Sequence, residues 1–155
     1  HCARLTAVDS SSEMLRMLSE KIAASSIANV KPLHLDFSRP EEAAGLDKNY
    51  DFVYSSMTLH HIPDTASFLR ELVGHISPGG TLAIADLDAE DGLFHDDATE
   101  KVHHGFDRAA LQTLLDAAGF VGVSFMTAHV IEKKNRAGKL TSYPVFLVTA
   151  LKPKA

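Results

Sequence analysis

Apolar and polar positions fall in blocks along this chain, and each block carries the period of one element. Leu5 to Val8 is a short apolar run closed by Asp9, which predicts a strand. Ser10 to Ser12 then offer N-caps, and Met14, Leu15, Leu18 and Ile22 recur at helical spacing. Val30 to Leu35 reads as a second strand, closed by Asp36, and Glu41 to Gly45 as a short helical turn beyond Pro40. Phe52, Val53 and Tyr54 suit a strand buried on both faces. That strand stops at Ser55 and Ser56, Met57 to Ile62 carry the chain across its end, and Asp64 caps the helix that follows. Phe68, Leu69, Leu72, Val73 and Ile76 form that helix's apolar face.

Ser77-Pro-Gly-Gly80 predicts a turn, because proline presets φ and the glycines tolerate positive φ. Thr81 to Ala85 is the next strand, ending on Asp86. Leu87 to Gly105 has no period and is rich in acids and histidines, the pattern of a functional or mobile loop. Asp107 caps a helix with Ala110, Leu111, Leu114, Leu115 and Ala118 on one face, and Gly119 ends it. Val121 to Ile131 and Pro144 to Leu151 are strands joined by the basic run Lys133 to Lys139, so they should pair as an antiparallel hairpin. Strands alternating with helices imply an α/β fold, a mostly parallel sheet with helices on both faces and an antiparallel addition near the end. All 155 residues read as one domain.

Composition narrows the function classes. The chain is 45% hydrophobic with a formal net charge of −5, a globular balance without the basic excess of a nucleic-acid binder. No apolar run approaches the roughly 20 residues that span a bilayer, so no membrane partner is expected. His1-Cys-Ala-Arg4 carries no signal-peptide pattern, and a single cysteine, Cys2, excludes an internal disulfide; both fit a reducing cytoplasm.

The candidate chemistry lies at strand ends. Asp9, Asp36, Ser55 with Ser56, and Asp86 each close a strand of the parallel part, and the carboxyl ends of parallel strands share one edge. A carboxylate there can accept both hydroxyls of a ribose. Helix capping is the competing use of the same residues.

These residues also carry a resemblance. Val8-Asp-Ser-Ser-Ser-Glu-Met-Leu15, His34-Leu-Asp-Phe37, Tyr50-Asp-Phe-Val53 with Leu59-His-His-Ile-Pro-Asp64, and Ser77-Pro-Gly-Gly-Thr-Leu82 are similar, in order and spacing, to motifs of class I S-adenosylmethionine-dependent methyltransferases. The likeness is to the small-molecule type of ubiquinone and menaquinone biosynthesis, and Phe106-Asp107 through Ala117-Ala-Gly-Phe120 extends it. It implies a Rossmann-like open sheet, S-adenosylmethionine as cofactor and a small-molecule acceptor. Asp9 would hold the ribose, with Ser10 and Met14 beside the adenosine. Asp36 and the Phe37 amide would meet the adenine, and Ser55, Ser56 and Met57 would line the methionine end. His60 and His61 would be the bases, needed when the acceptor must lose a proton.

The sequence departs from the family in lacking, ahead of Leu5, the first strand and its Gly-rich turn. The expectation is therefore an N-terminally incomplete domain that holds S-adenosylmethionine weakly by itself, with a homodimer able to cover the exposed sheet edge. Two rival functions remain: a nicotinamide-dependent oxidoreductase, whose second strand also ends in a ribose-binding acid, and a non-catalytic dimerisation or binding module. The loop acids and histidines (Asp86 to His95, His103, His104) match no standard zinc or calcium spacing, so no metal is expected; the loop reads as a lid, with Phe94 and His95 touching the acceptor. The basic run reads as a solvated hairpin tip.

Overall fold

The structure is a computed structural model that describes residues 2–37 and 45–154. The expected helical turn at Glu41 lies outside the described residues. The chain divides into two compact units, His1–Leu46 and Asp47–Ala155.

The first unit pairs two parallel strands, β1 (Leu5–Asp9) and β2 (Val30–His34), in register from Leu5 opposite Val30 to Asp9 opposite His34. Between them runs α1 (Ser12–Ala24), capped by Ser11, whose hydroxyl accepts from the Met14 amide at 3.3 Å. Of the apolar face expected on this helix, only Leu15 is buried, and Met14 remains 55% exposed.

The second unit is a four-stranded sheet in the order β3-β4-β6-β5. β3 (Tyr50–Ser56) lies parallel to β4 (Ile76–Leu87), joined by the crossover helix α2 (Thr65–His75). Asp64 caps α2 by accepting from the Ser67 amide at 2.9 Å. A second helix, α3 (Arg108–Ala117), starts at Asp107 in the same way and ends before Gly119 at φ +96°. β5 (Val121–Lys134) and β6 (Leu140–Leu151) form the expected antiparallel hairpin, with β6 also antiparallel to β4. The core gathers between this sheet and its helices: Leu69, Leu82, Ile84, Leu111, Leu115, Phe120, Phe146 and Val148 are all buried.

Two expectations need correction. Phe52 and Tyr54 are 56% and 64% exposed, not buried on both faces. β3 is an edge strand of its sheet, and residues two apart point to the same face, so both rings stack together on that face. Ser77-Pro-Gly-Gly80 does not interrupt the strand but belongs to β4 as an irregular first turn of pairing, with the register shifting between Tyr50 and Phe52. Gly79 there takes φ +79°, and a Cβ on Gly80 would come within 3.0 Å of the Tyr50 carbonyl, so the local backbone needs glycine.

Candidate active site

The expected adenosine-side residues all lie in the first unit. Asp9 ends β1 half-buried; its Oδ1 accepts from the Ser11 amide at 2.8 Å, which fixes the carboxylate's orientation. Asp9 and Met14 line a hollow of about 260 Å³ with Val8, Leu15, Leu18 and Lys21. Ser10 is exposed at its edge of the strand, with its carbonyl accepting from His34 at 3.0 Å. Asp36 and Phe37 follow β2, half-buried, outside the residues that line this hollow.

The second unit holds Ser55, Ser56 and Met57 at the end of β3. Met57 sits at φ +52°, a left-handed conformation that an unbranched residue adopts at a cost of about 1–3 kcal/mol. Its amide donates to the Ala85 carbonyl at 2.8 Å, and its side chain packs against the buried group Leu87, Tyr143 and Val145. This kink ends β3 and starts the single helical turn Leu59–His61.

That turn delivers His60 into the interior, only 2% exposed. Its Nδ1–H donates to Asp86 Oδ1 at 2.6 Å, and its backbone N–H to Asp86 Oδ2 at 3.3 Å. Asp86 is fully buried and also accepts from the Leu87 amide at 2.8 Å. The expectation that Asp86 stands at a shared ligand rim is thus corrected: its carboxylate is spent on His60. A carboxylate acceptor fixes a proton on Nδ1, so in the neutral tautomer of this ring Nε2 is the nitrogen that carries the lone pair.

Two further imidazoles crowd this one. The His61 ring lies 4.2 Å from that of His60, and the His95 ring lies 5.1 Å from His60 and 5.6 Å from His61. Burial, then the neighbouring His60 and His95, push His61 below the ordinary imidazole range. His95 Nδ1 lies 2.8 Å from Glu100 Oε2, so a second carboxylate stands beside a second ring. Its Nε2 is buried without a partner among the described residues. His103 secures the turn from below, donating its amide to the His60 carbonyl at 2.8 Å and its ring to the Ile62 carbonyl at 3.0 Å.

The partners Asp86 and Glu100 were not legible as such. Asp86 stands 26 residues from His60, and only the pairing of β3 with β4 brings the two together. Among the described residues no cluster of His, Cys, Asp and Glu has the arrangement of a metal site, and no helix is long and apolar enough to cross a membrane. Cys2 is exposed and free.

A parallel pair with a helical crossover, extended by an antiparallel hairpin, and polar residues closing the parallel strands define a class: a Rossmann-like α/β domain with a mixed sheet. The chain belongs to the family described as "Methyltransferase domain", whose pattern matches residues 1–124. It is similar to an uncharacterized methyltransferase of Mycobacterium tuberculosis, 35% identical over 94 residues, which cover 59% of this chain and 45% of that protein. It is also similar to a demethylmenaquinone methyltransferase of Listeria monocytogenes, 32% identical over 82 residues, covering 53% of this chain and 33% of the other. The chain thus spans less than half the length of these curated relatives. In fold it matches phosphoethanolamine N-methyltransferase 2 of Haemonchus contortus, solved with phosphomonomethylethanolamine and S-adenosylhomocysteine. The TM-score is 0.74 at 15% identity, over 96% of this chain and 43% of that one.

Proposed function

We propose that the protein transfers a methyl group from S-adenosylmethionine to a small-molecule acceptor, with His60 as the base that takes the acceptor's proton. The observation that carries this reading is the buried His60–Asp86 pair at 2.6 Å, which leaves Nε2 as a proton acceptor at the end of β3. Asp9, its carboxylate oriented by the Ser11 amide and set beside a hollow, suits a pair of hydroxyls, with Ser10, Met14, Asp36 and Phe37 as the other adenosine contacts. Ser55, Ser56 and Met57 serve the methionine end. S-adenosylmethionine supplies a methyl on a positive sulfur, open to in-line attack. His60 draws the proton from the attacking atom as its bond to the methyl carbon forms and the carbon–sulfur bond breaks, its electron pair passing to the sulfur of the departing S-adenosylhomocysteine, and Asp86 stabilises the imidazolium that results. His61 and His95 wall the base from water, which strengthens the charge interactions inside.

Methyl-tritiated S-adenosylmethionine at saturating concentration, offered with a panel of acceptors, tests the proposal. Reduced quinones head the panel because of the named Listeria relative; amines and carboxylic acids follow. Transfer of label to an organic acceptor is expected, and His60→Gln should slow it by about 10²–10⁴-fold. Failure to label any acceptor would overturn the activity. An undiminished rate in His60→Gln would overturn the role of the base alone.

A further inference from the structure

The hairpin tip, expected to be solvated, is engaged. Lys133, near the end of β5, donates from Nζ to the Phe94 carbonyl at 2.7 Å and to Asp96 Oδ1 at 3.3 Å, with the Phe94 ring centroid 4.8 Å away. Arg136, in the turn, donates its guanidinium to the Gly92 carbonyl at 3.0 Å and the His95 carbonyl at 3.3 Å. Its backbone N–H donates to the Leu93 carbonyl at 3.0 Å. Four successive carbonyls of the loop, from Gly92 to His95, are therefore each held by one of two cationic residues about forty positions further along.

Two of the loop's donors are taken as well. Glu90 Oε2 accepts from the Leu93 and Phe94 amides at 3.1 and 3.2 Å. Backbone groups in irregular loops ordinarily turn to water; here charged side chains replace it at the carbonyls of Gly92, Phe94 and His95, through the stronger hydrogen bonds that an ionised partner makes. Phe94 is further pinned edge-on between His95 and Tyr143, at 5.2 and 5.1 Å. The segment fastened in this way is the one that lays His95 over His60.

We infer that Lys133 and Arg136 are positioning residues: the hairpin tip, through the carbonyls of Gly92 to His95, holds His95 over the His60–Asp86 pair and keeps that pair covered. Its consequence for methyl transfer rests on the proposed role of His60; the clasp itself does not.

Diethylpyrocarbonate, which acylates accessible imidazole nitrogens, reads the clasp directly when each histidine is followed by mass spectrometry. In the unaltered chain His60 should react slowly and the exposed His34 quickly. In the double variant Lys133→Met/Arg136→Gln the rate at His60 should rise about tenfold or more, as a locally opened segment would allow, with His34 unchanged. Lys133→Arg, which keeps the cation, should retain protection. Arg136→Gln alone, at an exposed turn position, serves if the double variant does not fold; it should speed exchange of the Phe94 amide hydrogen and reaction at His60. Equal protection of His60 in the charge-neutral variants and the unaltered chain would overturn the clasp while leaving the catalytic reading intact. Conversely, unimpaired methyl transfer by His60→Gln would remove the base and leave the clasp standing.

Discussion

His61 is the residue whose charge the surrounding packing opposes most plainly. Burial comes first among the causes, then repulsion from His60 and His95, and the direction is downward. A folded pKa below the unfolded one means the unfolded chain binds the proton more readily. The contribution of His61 to stability is complete above the unfolded value of about 6.5 and is lost as the pH falls through the lower folded value. The urea midpoint should therefore drop between about pH 7.5 and about pH 5.5, and His61→Asn should reduce that drop. An identical acid response in the variant would show that His61 is neutral-indifferent in the fold. At this scale the sequence was informative about type and silent about pairing. Asp64 and Asp107 announced themselves as caps, and each accepts the amide three residues on. His60 was visible as a candidate base, but Asp86 was not visible as the group that orients its ring, nor Glu100 as the carboxylate beside His95. The left-handed backbone at Met57 had no signal either, since nothing in a methionine predicts φ +52°.

Between residue and molecule, the long connection from β4 to α3 is the element that departs most from its sequence signature. Lack of period and many charges suggested a mobile lid, yet its base is closed as firmly as its tip. Asp88 and Phe106 form a β-bridge, and Arg108 grips Asp88 with two bonds at 2.6 and 2.7 Å. Gly105 makes the closure feasible: at φ +67° its missing Cβ would stand 2.0 Å from the Asp88 carbonyl oxygen. Gly105→Ala should destabilise the chain by about 1–3 kcal/mol, read as a lowered melting temperature. Gly74→Ala is the contrast, because a Cβ within α2 meets nothing within 4 Å. That helical exchange should be neutral or stabilise by about 0.5–1 kcal/mol. Equal effects at the two glycines would mean that close approach at the loop base is unimportant. The hairpin illustrates the same lesson in reverse. Its antiparallel pairing followed from two strand-like runs and a short turn, but the strands run further toward the tip than expected, leaving only a tight turn around Asn135 and Gly138.

At the scale of the molecule, the order of elements among the described residues was read correctly from periodicity: strand and helix alternate, and the last two strands turn back on each other. Periodicity could not say which strand is central. β6, last in the chain, lies inside its sheet between β4 and β5, while the strand of Phe52 and Tyr54 lies at its edge. This follows from connection geometry, since a tight hairpin can insert its second strand beside β4 only if the first lies outermost. Phe146 on β6 is accordingly fully buried, with the Phe125 ring 5.6 Å away and edge-on. Phe146→Ala should lower unfolding free energy by about 3–5 kcal/mol, measured from the denaturant midpoint. A loss below about 1 kcal/mol would mean that the interior tolerates a cavity there.

The attachment of four consecutive carbonyls to Lys133 and Arg136 also bears on how such domains can be recombined. A carbonyl row offers its partner no side-chain identity, so a loop of matching length and curvature that keeps the Phe94 ring and the Asp96 carboxylate for Lys133 could seat on these two cations. Grafting a foreign loop between β4 and α3 should therefore succeed when the hairpin tip is left in place, and transplanting the hairpin without its basic pair should leave even the native loop unmoored. The two segments form one exchangeable cassette, although some forty residues separate them along the chain.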